Sequence, residues 1–115
     1  MNIEEFEKNI SYKFKNKSLL KTALTHTSYA HDNKIESNEK LEFLGDSILE
    51  FVVSNYLYNN YKNLKEGEMT KVRATVVCEE SLYKIAILHN FSDFLFLGRS
   101  EINGKRKQKT SNTCR

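Results

Sequence analysis

An all-α domain is the fold class this 115-residue chain predicts, and three observations carry it. With no proline and only 4 glycines, the chain has too little turn punctuation for a sandwich or barrel of many short strands. A helical pattern runs without a break from Asn38 to about Tyr61. The length suits one small domain that buries ~65% of the surface its unfolded chain exposes, enough for one core and not two.

The elements follow in order. A first short helix fits Ile3 to Ile10. Ser18 can cap a second, whose Leu19, Leu20, Ala23 and Leu24 form an apolar face. Thr25 to Ser37 is polar and reads as a connection. Ser37 or Asn38 then caps the long helix, and a charged loop, Lys62 to Gly67, ends it. Two more helical patterns cover Glu68 to Cys78 and Glu79 to Asn90. Phe94, Leu95, Phe96 and Leu97 form an apolar cluster ending at Gly98, and Arg99 to Arg115 shows no period.

Composition excludes several classes. The chain is 39% hydrophobic with a mean hydropathy of −0.60, and no run approaches the ~18 apolar residues of a membrane span. The acidic start, Met1 to Glu7, is unlike a signal peptide, so a cytoplasmic protein is expected. Cys78 and Cys114 lie far apart with no CxxC pair; they read as free thiols, and no zinc site is suggested at His31 or His89 either. Residues 1 to 104 hold 13 Lys/Arg against 15 Asp/Glu, so the formal charge of +3 comes from Lys105, Arg106, Lys107, Lys109 and Arg115. The informative charge is therefore in the net-negative body.

At 100° per residue, Glu39, Glu42 and Asp46 fall within an arc of roughly 60° on the long helix. Leu41, Leu44, Ile48 and Val52 occupy the opposite side, as a core face would. Phe43 and Val53 share the acidic sector, which is unusual for a solvated face. Carboxylates three and four residues apart repel, so under partial burial they need a cation. Basic side chains such as Lys40 could supply it, leaving a salt-bridged surface. So could Mg²⁺, which takes hard oxygen ligands and commonly uses one or two protein carboxylates with waters and phosphate oxygens.

The segment Asn38-Glu39-Lys40-Leu41-Glu42-Phe43-Leu44-Gly45-Asp46-Ser47-Ile48-Leu49 resembles the signature of the ribonuclease III family, double-strand-specific endoribonucleases with an all-helical catalytic domain. Leu24-Thr25-His26-Thr27-Ser28-Tyr29 and Glu66-Gly67-Glu68-Met69-Thr70-Lys71-Val72-Arg73-Ala74 resemble family segments at the expected separations, and the likeness runs from Phe14 to about Ser111. The resemblance implies that Glu42 and Asp46 are Mg²⁺-site carboxylates, with Mn²⁺ a possible substitute, and that Asp46 is essential to catalysis. It implies that Glu39 and Glu66 line the same acidic cleft and that Phe43 inserts into the partner of a homodimer. Double-stranded RNA is the implied partner, recognised by shape, phosphates and 2′-hydroxyls, in rRNA and mRNA processing. No membrane and no small-molecule cofactor is expected. Gly45 reads either as a close approach of another backbone or as a tolerated mid-helix glycine. His26 reads as a helix-end residue satisfying backbone carbonyls, Arg73 as a structural partner of Glu66 or the stripe, and Tyr56, Tyr58 and Tyr61 as core and rim.

Family members carry a second acidic motif, resembling Ser-Ile-Leu-Ala-Asp with a Glu three residues on. Here Lys107-Gln108-Lys109-Thr110-Ser111 approaches it and Asn112-Thr113-Cys114-Arg115 departs. One base inserted after the Ser111 codon turns TCT ATA CTT GCA GAT into TCT AAT ACT TGC AGA, which encodes the four departing residues. The expectation is therefore a partial catalytic domain over residues 1 to 111, its C-terminal helices missing, a non-family tail over 112 to 115 and no double-stranded-RNA-binding domain. Such a fragment would leave apolar surface on the long helix uncovered. The alternative function is an inactive dimerisation or RNA-binding module of the same fold.

Overall fold

The computed structural model describes residues 3–104, and within them the chain is mostly helical with no strand, as expected. The basic run 105–109, the approach to the second acidic motif and the tail 112–115 lie outside the described residues.

Helix α1, Ile3–Ile10, turns Phe6 inward between Ile3 and Ile10 at helical spacing. Glu4 and Glu5 in its first turn and Lys8 in its last suit the helix dipole. Helix α2, Lys17–Ala23, starts two residues earlier than Ser18 would have set it, because Asn16 Oδ1 accepts the Leu19 N–H at 3.0 Å. Of its expected apolar face, Leu20 and Leu24 are buried with Phe6, and Leu19 is half exposed. The phenyl rings of Phe91 and Phe94, in a 3₁₀ turn over Phe91–Phe94, close this core at centroid distances of 5.6 and 5.4 Å from Phe6. Asn9 Nδ2 donates to the His89 carbonyl at 2.6 Å and fixes the approach to that turn.

Glu7 is buried, and its carboxylate accepts from the Lys17 ammonium and from the Phe14 N–H at 2.6 Å. The Lys17 hydrogen bond first, and the Phe14 N–H second, hold its carboxyl below its ordinary value near 4.5. A depressed folded-state pKa contributes stability that is fully present above the unfolded value and is lost as pH falls through the folded one. Acid unfolding below pH 4.5 should therefore steepen with Glu7 and flatten in Glu7→Gln, read as urea midpoints from pH 5 downwards. Parallel acid limbs in the two proteins would remove Glu7 from the account.

The stretch Thr25 to Ser37, expected as a connection, contains helix α3, Thr27–Asn33. Periodicity misses it because seven residues give fewer than two turns. His26 caps its start by accepting the Ser28 N–H on Nδ1 at 3.1 Å, so it satisfies a backbone donor and not the carbonyls expected of it. Lys34, in the left-handed region at φ 55°, ends the helix.

Helix α4, Glu39–Asn60, is roughly 33 Å long at 1.5 Å per residue. Helix α5, Glu66–Val77, folds back along it, and helix α6, Glu79–Leu88, follows after the extended residue Cys78. Cys78, expected as a free thiol, is disulfide-bonded. A search for CxxC spacing does not see a pairing between distant positions.

Thr25 pairs with Phe96 in an isolated parallel bridge: the His26 N–H donates to the Phe96 carbonyl at 3.1 Å and the Phe96 N–H to the Leu24 carbonyl at 2.9 Å. Helix α7, Arg99–Gly104, begins where Ser28 Oγ accepts the Gly98 N–H at 2.8 Å and Asp32 Oδ2 the Arg99 N–H at 3.3 Å. It is too short to show a period in sequence. Gly98 is required there by space: a Cβ would stand 2.6 Å from the Ser28 carbonyl oxygen and 2.7 Å from Asp32 Oδ2. Gly98→Ala should cost about 1–3 kcal/mol through overpacking and separate α7 from α3, measured as a lower urea midpoint and faster amide exchange at Arg99. A variant as stable as the parent would contradict this packing.

Candidate active site

The acidic stripe sits on the N-terminal half of α4. Asn38 is the N-cap residue of α4 without a side-chain cap bond, and Ser37 Oγ, one residue before it, accepts the Glu39 N–H at 3.3 Å. This frees Asn38 for another task. Its N–H donates to the Thr25 carbonyl at 2.9 Å, its Nδ2 to the Ala23 carbonyl at 3.3 Å, and its own carbonyl accepts the Glu42 N–H at 2.8 Å. The acid-bearing end of α4 is thus strapped to the α2–α3 junction, which the Phe96 bridge holds from the other side. Asn38→Asp keeps a side chain that can cap a helix but removes the donor to Ala23. It should cost about 1 kcal/mol and speed amide exchange at Glu39 and Glu42 more than anywhere in α5. Uniform exchange changes would show that the strap has no local role.

Glu39, Glu42 and Asp46 are all solvent-exposed. Glu50, four residues beyond Asp46, extends the same line, a placement that its spacing in the sequence gives although it lies beyond the signature segment. Among the described residues no ion pair reaches any of the four, the only such pairs being Lys17 with Glu7 and Lys84 with Glu80. Lys40 therefore does not neutralise the stripe. The helix dipole offsets part of the repulsion for Glu39 and Glu42, which lie in the first turn, by about 0.3–1 kcal/mol each. Asp46 lies a full turn further along, where that effect has faded, between Glu42 and Glu50 at four-residue spacing. Its carboxylate has no intrahelical explanation.

Glu66 opens α5 and lines a hollow with Ser54, Leu57, Tyr58, Thr70 and Arg73. Thr70 Oγ1 donates to its Oε1 at 3.3 Å. Leu57 lies eleven residues beyond Asp46, so Glu66 sits roughly 16 Å along the helix from it. One chain by itself does not bring Glu66 to the stripe. Among the described residues no three His, Cys, Asp or Glu side chains converge on a point that would hold a metal ion. Arg73, expected to pair with an acid, donates to Ser54 Oγ at 2.9 Å, while that hydroxyl donates to the Glu50 carbonyl at 2.7 Å. Its role is structural, pinning α5 onto α4 where Leu57 is buried.

Phe43 is 79% exposed beside the stripe. Tyr56, Tyr58 and Tyr61 are rim residues, none of them core. The expected core face of α4 is also corrected: Leu44, Ile48 and Val52 are more than half exposed, because no described element lies over them.

A family described as Ribonuclease-III-like matches residues 16–114. A protein named Ribonuclease 3 from Clostridium beijerinckii is 47% identical over 108 residues, which is 92% of this chain and 47% of that protein. Another of that name, from Caldanaerobacter subterraneus subsp. tengcongensis, is 52% identical over 103 residues, 87% of this chain and 45% of that protein. The chain thus spans about half the length of the curated relatives it matches. A solved nuclease domain of ribonuclease III from Campylobacter jejuni, described for flexibility in a region involved in its dimer formation, superposes with a TM-score of 0.84 at 43% identity. It covers 95% of this chain, and this chain covers 74% of it. With the family match running over residues 16–114 and the solved nuclease domain superposing on 95% of the chain, the chain belongs to the ribonuclease III family.

Proposed function

We propose that this chain carries the acidic half of a double-stranded-RNA-specific endoribonuclease site. The observation that supports this best is the run of exposed carboxylates with no ion-pair partner among the described residues, with Asp46 outside the reach of the helix dipole. Hard, unpaired oxygen donors on a rigid helix fit Mg²⁺, or Mn²⁺ in its place. Glu42 and Asp46 would hold the ion, which when bound supplies Lewis-acid stabilisation and an activated water. The protein's own part is positioning. Ser37 and Asn38 fix the start of the helix, α5 fixes its far end through Arg73 and Leu57, and the stripe between them keeps its carboxylates at constant spacing.

A homodimer fits the same reading. Phe43 offers a large apolar side chain to a second chain, and pairing could bring the Glu66 of one subunit to the stripe of the other, with Glu39 beside it. Cytoplasmic rRNA and mRNA processing are the roles this implies. No helix among the described residues is long and apolar enough to cross a membrane. We also read residues 1 to 111 as a partial nuclease domain, which the unmatched quarter of the solved domain supports, and 112 to 115 as a tail that departs from the second acidic motif, although the family match itself runs to residue 114. DNA sequence beyond the Ser111 codon tests this, since the shifted frame must then encode a continuing acidic helix.

The second reading, an inactive dimerisation or RNA-binding module, draws on the absence of three converging metal-binding groups among the described residues. Incubation of the purified protein with labelled duplex RNA and 0 or excess Mg²⁺ decides between them. Metal-dependent cleavage supports the nuclease. Binding or dimerisation with intact RNA supports the module.

A further inference from the structure

His26 is half-buried where three segments meet, and the hydrogen bonds of its ring all run through Nδ1. Because Nδ1 accepts the Ser28 N–H at 3.1 Å it carries no proton, and the Ser28 hydroxyl 2.8 Å away is then the donor in their contact. That hydroxyl oxygen in turn accepts the Gly98 N–H at 2.8 Å. The relay therefore has one direction, from Gly98 N–H to Ser28 Oγ and from Ser28 O–H to His26 Nδ1, with the ring proton on Nε2. One unprotonated nitrogen thus joins the first turn of α3 to the residue that precedes α7. The other bond to that end of α7, from the Arg99 N–H to Asp32 Oδ2, is exposed and longer, at 3.3 Å. The charged or titratable residues on the surrounding elements are Lys21 of α2, His31 and Asp32 of α3, Glu39 and Lys40 of α4, and Arg99 and Glu101 of α7, while the extended segment at Phe96 carries none. None of them forms an ion pair with His26.

We propose that His26 is a pH-sensitive latch: the neutral ring holds the start of α7 on α3, and uptake of one proton from solvent at Nδ1 releases it. The imidazolium carries N–H on both nitrogens, so the Ser28 N–H would face another N–H and its bond is lost. The contact with Ser28 Oγ survives only in reverse, with the hydroxyl proton turned away and Oγ accepting from His26 and Gly98 at once. The new positive charge also stands at the N-terminal end of α3, the end of a helix that disfavours a cation. The released state takes up the proton more readily than the latched one, so acid shifts the balance toward release. Histidine changes charge between pH 5 and 8, which sets the window of the latch above the one in which Glu7 acts. The latch does not depend on the nuclease reading, since it involves neither the acidic stripe nor a metal.

The test follows the whole chain by NMR between about pH 7.5 and 5.5, without RNA or divalent metal. At the upper end the imidazole nitrogen shifts of His26 should place the proton on Nε2. On acidification the amide protection of Ser28 and Gly98, corrected for the intrinsic pH dependence of exchange, should fall about tenfold, as loss of one hydrogen bond implies. Protection at Phe96 and Asn38, whose N–H groups are held by the Leu24 and Thr25 carbonyls, should change less than about twofold. In His26→Asn the side-chain oxygen can accept the same Ser28 N–H without titrating, so protection should persist and its pH dependence vanish. His31→Gln, at the exposed histidine of α3, should leave that dependence as in the parent. A ring proton on Nδ1 at the upper pH, unchanged protection at Ser28 and Gly98, a loss spread evenly over all helices, or a dependence that persists in His26→Asn would each overturn the proposal. The tautomer and pH profile of the parent decide the matter by themselves if His26→Asn does not fold.

Discussion

Asp46→Asn is expected to lower Mg²⁺-dependent cleavage of duplex RNA about a thousandfold, equivalent to ~4 kcal/mol of barrier at 1.36 kcal/mol per decade. The change keeps the shape of the side chain and removes its charge, which is the property a hard cation needs from it. Stability should move the other way. Asp46 stands between Glu42 and Glu50 at four-residue spacing, exposed and without a cationic partner among the described residues, so neutralising it relieves about 0.2–0.5 kcal/mol of repulsion per pair. A loss of activity joined to an equal or higher urea midpoint separates a catalytic group from a structural one. Glu50→Gln is the control, since it relieves one of the same two repulsions without touching the proposed ligands. If Asp46→Asn cleaves like the parent, Asp46 is not a metal ligand of consequence.

Phe6→Ala should destabilise the fold by about 3–5 kcal/mol. Phe6 is 7% exposed and touches both aromatic rings of the 3₁₀ turn as well as Leu20 and Leu24, so removing it leaves a cavity shared by three segments. With a stability of about 5–15 kcal/mol typical of a domain, this is a large part of the whole. The denaturant midpoint should fall with the slope nearly unchanged. A loss under about 1 kcal/mol would mean that the aromatic cluster is loosely packed.

How far the sequence could be read depended on element length and on what lies across each face. Helix α4 was legible because its pattern runs for 22 residues and holds the family signature. Helices α3 and α7 were not, since seven and six residues carry too little period and depend on the contacts of His26, Ser28 and Asp32. Asn16 and Ser18 are both good caps, and only the Leu19 N–H distinguishes them. The stripe of Leu44, Ile48 and Val52 was visible, but a period reveals that a face is apolar and not what covers it. The acidic residues of α4 could be placed on one face from spacing alone. The strap at Asn38 could not, because it depends on carbonyls at Ala23 and Thr25, residues brought near by the fold.

The bond from the Gly98 N–H to Ser28 joins residues 70 positions apart, and that from Asn9 to His89 spans 80. During synthesis, therefore, α1 and α2 leave the ribosome long before the 3₁₀ turn and Phe96 that close their core. At about 5–20 residues per second the gap is roughly 4–16 s. The hairpin of α4 and α5, joined by a short loop, needs only its own neighbours and can form inside that window. The acid-bearing hairpin would then be assembled first, and the nascent N-terminal helices would stay open to chaperones and proteases until the last aromatic residues arrive.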